Sequence, residues 1–527
     1  MRGRVLFCAI VIAMAMPITT TGRAQSASQA TNRFHFDEKP GPYAVGLKVV
    51  EQYDYARTWG SAVDDLGKPV EGERARPLQT LIWYPAAKTA GKAMTLGDYF
   101  KLLETETSFG KPHLAGTWES WKKGMAPAMG DSLWAVRDAA AAAGRYPVVV
   151  YTPSFGSMSW ENADLCEYLA SNGYVVVAAG GLGATTRAMT SDIAGISAQA
   201  SDVSFLVGFA RTLPNADPSE IAVAGFSWGG IANLFAAAHD SRIRALVALD
   251  GSMRYYPGYV KDSGFVHPDQ MTIPLIFFTQ GGPSLEDQAR YFTGSGMQGP
   301  SVLNAWTHGD LELVHMLGMS HVEYSSMYQR NEDTWKMYTA FAEGDFTRGD
   351  GIPGYAWMAR YTLTFLNAYL KHDAAALVWL KRTPAENGAP PHLFGANFRA
   401  ASGAPVSFES LRAETGRRGF GHIGEIYAEF HKTNADFKLP EAESVDWGDN
   451  LVSDGHAKEA VAVLKLVTEV YPESGDDLES LGDAYAADGN RQLAIENYKK
   501  AIATHYPGAS GTQEKLDKLE KGATATP

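Results

Sequence analysis

The stretch that decides the fold is residues 220–231, "EIAVAGFSWGGI". Its centre, Gly225-Phe226-Ser227-Trp228-Gly229, fits G-x-S-x-G, a tight turn that carries a serine from the end of a strand to the start of a helix. Glycine makes up 53 of 527 residues, so the pattern alone arises easily by chance and needs its flanks to mean anything. Before it, "EIAVAGF" reads as a buried strand; after it, "GGIANLFAAAHD" has helical spacing.

The same alternation extends both ways. "YPVVVYT" (146–152), "YVVVAAG" (174–180), "RIRALVALDG" (242–251), "IPLIFFTQGG" (273–282) and "LELVHMLGMSH" (311–321) are near-continuous apolar runs. "WENADLCEYLASNG" (160–173), "DIAGISAQASDVSFLVGFARTL" (192–213) and "YAWMARYTLTFLNAYLKHD" (355–373) have helical spacing. Strands alternating with helices predict a mostly parallel sheet covered on both faces. "YAVGLKVVEQYDY" (43–55) and "LQTLIWYPA" (78–86) read as earlier strands. Residues 88–145 are less regular and carry Trp118, Trp121, Met125 and Met129. They read as a cap beside the site, or as an insertion with its own apolar cluster.

A serine hydroxyl needs a histidine to take its proton and a carboxylate to orient that histidine. Asp250 ends the strand after Ser227, and His321 follows the last apolar run, in the loop "GMSHVEY". The competing acids are Glu286 and Asp287, after "IPLIFFT"; the competing bases are His308, ahead of the last strand, and His315, inside it. Two backbone N–H groups must bind the developing oxyanion. Trp228, just after the nucleophile, is one expected donor. Phe155 in "PSFGSMSW" is the other, with Ser154 and Gly156 as alternatives.

Arg2 and Arg4 precede an apolar run, Val5 to Met16, followed by small and polar residues. This order predicts a signal peptide over 1–24 and an exported protein, periplasmic or extracellular. Its removal takes away three arginines and no acid, moving the formal net charge from −13 to −16. That acidity argues against nucleic acid or anionic membrane as the main partner. No later apolar run reaches the length of a membrane span. Cys166 is then the only cysteine, which excludes an internal disulfide, and its amphipathic setting reads as buried packing. No metal, dinucleotide or P-loop motif is present, so no cofactor is expected.

The expected organisation is a linker over 25–40, the α/β domain over 41–375, a linker and helical connector over 376–440, and a helical module over 441–520. In that module Trp447, Gly448, Leu451, Ala460, Leu464 and Val467 recur, offset by 34, as Leu481, Gly482, Tyr485, Ala494, Tyr498 and Ala501. This pair resembles tetratricopeptide repeats, which implies a protein partner.

"GPYAVG", "LIWYPA", "PVVVYTPSFGS", "AGFSWGG", "VALDGS" and "GMSHVEY" together resemble the α/β-hydrolases related to platelet-activating factor acetylhydrolase and to bacterial dienelactone-hydrolase-like proteins. The resemblance implies the α/β-hydrolase fold and places the acid directly after the strand following the elbow, favouring Asp250 over Asp287. Phe226 and Pro153-Ser154 stand where the acetylhydrolases commonly have a His and a His-Gly pair, so their lipid substrate does not carry over. The expectation is an exported carboxylesterase of small-molecule esters, working through an acyl-enzyme on Ser227. The alternatives are an amide, peptide or lactone hydrolase with the same triad, or an inactive scaffold that binds through its repeats.

Overall fold

The computed structural model describes residues 33–522, apart from 65, 89–90, 111, 113, 115, 281–295 and 340–347. The expected signal peptide lies outside the described residues, as do Glu286 and Asp287. The chain divides into two compact units between Ser402 and Gly403.

The first unit is built on one sheet, in the order β11-β10-β9-β8-β7-β5-β6-β2-β1-β4-β3. The strands are β1 (Ala44–Thr58), β2 (Ala75–Ala86), β3 (Ala93–Thr95), β4 (Ser132–Arg137), β5 (Tyr146–Thr152), β6 (Val175–Ala179), β7 (Ala216–Phe226), β8 (Ile243–Leu249), β9 (Leu275–Gln280), β10 (Leu311–Met316) and β11 (Phe394–Arg399). From β6 to β10 every neighbouring pair is parallel; β2 and β11 flank that block antiparallel. The parallel strands are buried on both faces, which is why they read as apolar runs rather than as alternating patterns.

Helices cover both faces: α1 (Gly116–Met125), α2 (Ala163–Ser171), α3 (Ile193–Ala210), α4 (Trp228–His239) and α5 (Arg348–Leu370). One apolar cluster lies on the face of α2 and α5, a second on the face of α3 and α4. This is the α/β-hydrolase fold expected from the sequence. Among the described residues α3 alone is long and apolar enough to cross a membrane, with a mean hydropathy of 1.3. It packs in the second cluster, burying Ile196, Val203, Leu206 and Val207.

Two boundaries differ from the sequence expectation. Residues 33–38 are not linker: Phe34 is buried against Tyr355 under the Arg330 guanidinium, and Glu38 pairs with Arg360 at 2.7 Å. At the other end the α/β unit runs past 375. The helix α6 (Ala374–Leu380) follows α5, and β11 completes the sheet by pairing along β10 from Leu311↔Arg399 to Met316↔Phe394. "FGANFR" has little strand character of its own; the free edge of β10 makes it a strand.

The second unit is all helical: α7 (Phe408–Arg418), α8 (Ile423–Thr433), α9 (Glu441–Ser453), α10 (Ala457–Val470), α11 (Gly475–Ala487), α12 (Arg491–Ala503) and α13 (Ala509–Gly522). The helices α9, α11 and α13 start 34 residues apart, as do α10 and α12. The packing repeats with them. A Cβ on Gly448 would meet Leu464 at 2.4 Å, and one on Gly482 would meet Tyr498 at 2.5 Å. Each glycine thus lets a large side chain of the paired helix press on its backbone. Trp447 and Val467 bury against Leu411, Ile423 and Ile426 of α7 and α8, so the expected connector belongs to this unit's core.

Candidate active site

The register of the central strands brings their carboxyl ends to one line. Thr152 of β5 pairs with Gly225 of β7, Phe226 with Leu249 of β8, Leu249 with Phe278 of β9, and Gln280 with Met316 of β10. The residues that follow, 153–157, Ser227, Asp250 and 317–321, therefore share one edge of the sheet, where ligands of open α/β sheets bind.

Ser227 links β7 directly to α4 with φ 54° and ψ −117°. Such a turn has room only for glycine around it. A Cβ on Gly225 would lie 2.6 Å from Asn233 Nδ2, and one on Gly229 would lie 2.2 Å from the Thr152 carbonyl oxygen. Both glycines of the motif are thereby accounted for sterically.

The structure brings Ser227, His321 and Asp250 together. His321 Nε2 lies 2.9 Å from Ser227 Oγ, and Nδ1 lies 2.6 Å from Asp250 Oδ2. Asp250 is fully buried and itself takes a left-handed φ of 44° at the end of β8. Two further groups hold this arrangement. Tyr255 Oη donates to Asp250 Oδ1 at 2.7 Å, and the His321 backbone N–H donates to Gln280 Oε1 at 2.8 Å. Burial and the Asp250 charge push the Tyr255 phenol well above its usual range, so it remains a donor. The Phe226 ring lies against the His321 imidazole, with centroids 4.9 Å apart.

The other candidate histidines lie apart from this cluster. His315 is within β10; burial, then the Arg254 cation, hold its imidazole below the ordinary value. His308 precedes β10, at the opposite end of the sheet. Cys166 is a free buried thiol on α2.

The oxyanion loop narrows to fewer donors than the sequence leaves open. The Ser154 N–H is taken by Glu161 Oε2 at 2.8 Å. Ser157 N–H closes a turn onto the Ser154 carbonyl at 3.1 Å, with Gly156 at φ 63° in its third position. Among the described residues, the backbone N–H groups of Phe155, Gly156 and Trp228 have no partner within the chain, so Ser154 is the alternative removed and Phe155 and Gly156 stay open in this loop. The Phe155 and Trp228 rings meet edge to face at 5.4 Å, which sets these two residues side by side.

Part of the 88–145 segment does stand beside this site. α1 carries Trp118 and Trp121; Trp121 packs on Tyr328 at 5.3 Å, and Tyr328 on Phe226 at 6.2 Å. Arg187 lies under Trp118, paired to the buried Glu106 at 2.5 Å, close to Gly156. Aromatic rings thus stack outward from Phe226, and an ion pair lies beside Gly156 of the oxyanion loop.

Residues 77–390 match the family model described as X-Pro dipeptidyl-peptidase (S15 family). This chain belongs to the S15 family. The matched span runs from β2 to just short of β11 and takes in Ser227, Asp250 and His321. A solved structure, the ferulic acid esterase from Streptomyces cinnamoneus, is similar at 18% identity, covering 63% of this chain and 91% of that one, with a TM-score of 0.45. No curated protein matches. The family match makes this S15 member a serine hydrolase of the esterase or peptidase kind. Tyr255 and Gln280, which brace the cluster, and Glu161, which holds the Ser154 end of the oxyanion loop, carried no sequence signal: each is an ordinary polar residue outside any motif.

Proposed function

We propose that this S15-family chain is a carboxylic-ester hydrolase that works through an acyl-enzyme on Ser227. One observation carries the reading: the hydrogen-bond chain Asp250–His321–Ser227, with the serine raised on a strained turn at the sheet edge. Ser227 Oγ attacks the ester carbonyl as His321 Nε2 takes its proton. Asp250 holds the imidazole through Nδ1 and stabilises the cation that forms. The amides of Trp228 and Phe155 receive the oxyanion, each contributing about 3 kcal/mol to the transition state by analogy with other such donors. His321 then protonates the leaving alcohol, and water, activated by the same imidazole, releases the acid.

A second reading, cleavage of Xaa-Pro peptides, is favoured by the description of the matching family. The same triad serves both, because the chemistry at the carbonyl is shared. The repeat offset of 34 and its paired glycines support tetratricopeptide-like repeats in the helical unit, with a protein partner as their use.

Labelling with a fluorophosphonate probe tests the nucleophile. Wild type is expected to label and Ser227→Ala to stay unlabelled; equal labelling of both would remove Ser227 from the mechanism. Side-by-side turnover of p-nitrophenyl acetate and Ala-Pro-p-nitroanilide separates the two readings. Faster anilide cleavage would replace the esterase assignment with the peptidase one.

A further inference from the structure

Glu161 and Asn162 have no part in the reaction just described, yet they hold both loops on which it depends. Glu161 is fully buried just ahead of α2, next to its N-cap Asn162. Its Oε2 accepts the Ser154 N–H at 2.8 Å and the Tyr151 hydroxyl at 3.2 Å; its Oε1 accepts the Ser154 hydroxyl. Its backbone carbonyl accepts the Ser325 hydroxyl at 3.0 Å and the Met327 N–H at 3.3 Å. Asn162 Nδ2 donates to Tyr151 Oη at 2.7 Å and to the Tyr324 carbonyl at 3.0 Å. Asn162 Oδ1 accepts the Ser326 N–H and the Tyr355 hydroxyl, each at 2.9 Å. One dipeptide thus ties residues 151–154, ahead of Phe155, to residues 324–327, just after His321.

We infer that Glu161 is a positioning residue for the oxyanion site, selecting which amide of the 154–157 turn faces the reacting carbonyl. The inference rests on the acyl-enzyme reading of Ser227. Two adjacent N–H groups compete at the start of this turn. The carboxylate consumes that of Ser154 and turns it away; the Phe155 N–H is left without a partner, beside Trp228. Burying a carboxylate is costly unless donors surround it, and here both oxygens are engaged by donors from the loop or the strand beneath it. A neutral or shorter side chain cannot engage all of these donors. The turn would then share its two amides between orientations, and the oxyanion would lose a fixed donor. Glu161 has no contact with the Ser227–His321–Asp250 chain itself, so its effect passes through the backbone of residues 154 and 155.

The experiment uses the full chain with Glu161→Gln, which keeps the volume, and Glu161→Asp, which keeps the charge but withdraws it by one methylene. Four quantities are read: kcat and KM on p-nitrophenyl acetate, the Ki of a trifluoromethyl ketone, the fluorophosphonate labelling rate, and the circular-dichroism melt. The ketone forms an oxyanion adduct on the serine and so reports the oxyanion site. For Glu161→Gln, kcat is expected to fall by about 10- to 100-fold, with KM within about threefold and Ki weakened in parallel with kcat. Glu161→Asp is expected to be intermediate. A folded Glu161→Gln or Glu161→Asp with wild-type kcat, or with lowered kcat and unchanged Ki, would overturn the inference. Absence of Ser227-dependent labelling in wild type is a different result: it would sink the acyl-enzyme reading, and this inference with it.

Discussion

Ser227 occupies a left-handed conformation that costs an L-residue about 1–3 kcal/mol, and Asp250 occupies another. Both are held by what surrounds them, and Tyr255 is the clearest case. Its hydroxyl donates at 2.7 Å to the fully buried Asp250 carboxylate, and a bond to a charged acceptor is worth about 1.5–3 kcal/mol. Tyr255→Phe removes that donor and little volume. It is expected to lower kcat about tenfold with KM unchanged, as steady-state ester hydrolysis would show. Wild-type kcat in that variant would mean that the Gln280 contacts suffice. Ser227, Asp250 and His321 were legible in the sequence because Ser227 and Asp250 directly follow a strand and His321 lies in the loop after one, and strand ends could be read from apolar runs. Tyr255 and Glu161 were not, because their roles arise from a turn geometry and from contacts that cross 5 to over 160 residues.

The strands themselves were legible for the same reason that they are stable: β5, β6 and β9, with the later parts of β7 and β8, are buried on both faces and contain little but apolar residues. The strand β10 breaks that rule at Glu312. This side chain is 1% exposed, and neither carboxyl oxygen has a hydrogen-bond partner. Burial lifts its pKa from 4.5 to about 8. Between those values the native state keeps a proton that the unfolded chain has released. The stability tied to this group is therefore complete below about pH 4.5 and is lost as pH rises towards 8. Glu312→Gln stays neutral throughout. It is expected to match wild type near pH 5 and to exceed it by about 2–4 kcal/mol near pH 8.5, read from denaturant melts. An equal difference at both pH values would remove the titration from the account. β11 and the packed segment 33–38 were the elements that the sequence hid. The first becomes a strand by pairing with β10. The second is held through Phe34 and Glu38, by contacts with residues some 320 positions away.

At the scale of the whole molecule, the chain divides between 402 and 403 into two compact units, each with its own apolar core. All residues of the proposed reaction lie in the first. Deleting 403–527 is expected to leave ester turnover within about twofold, the ordinary behaviour of a unit that carries its own core. A folded truncation without activity would show that the helical unit takes part in the reaction. The repeat period of 34 was legible because it is written in residue types; the place of the break was not, because β11 lies beyond the last recognisable helix. The order of the sheet has one more consequence. Its long, apolar, parallel strands are all interior; its margins are β11, of six residues, and on the other side β3, of three, together with the part of β1 that β4, paired only along Val45–Leu47, leaves uncovered. An unpaired strand edge is a template on which another chain can add, and long apolar edges invite aggregation. Here the backbone left open is short at β11 and β3, and the stretch of β1 beyond its pairing with β4 carries Lys48, Glu51, Asp54 and Arg57, charges that blunt an edge. A concentrated solution of folded molecules therefore offers only short or charged edges along which one sheet could continue into the next.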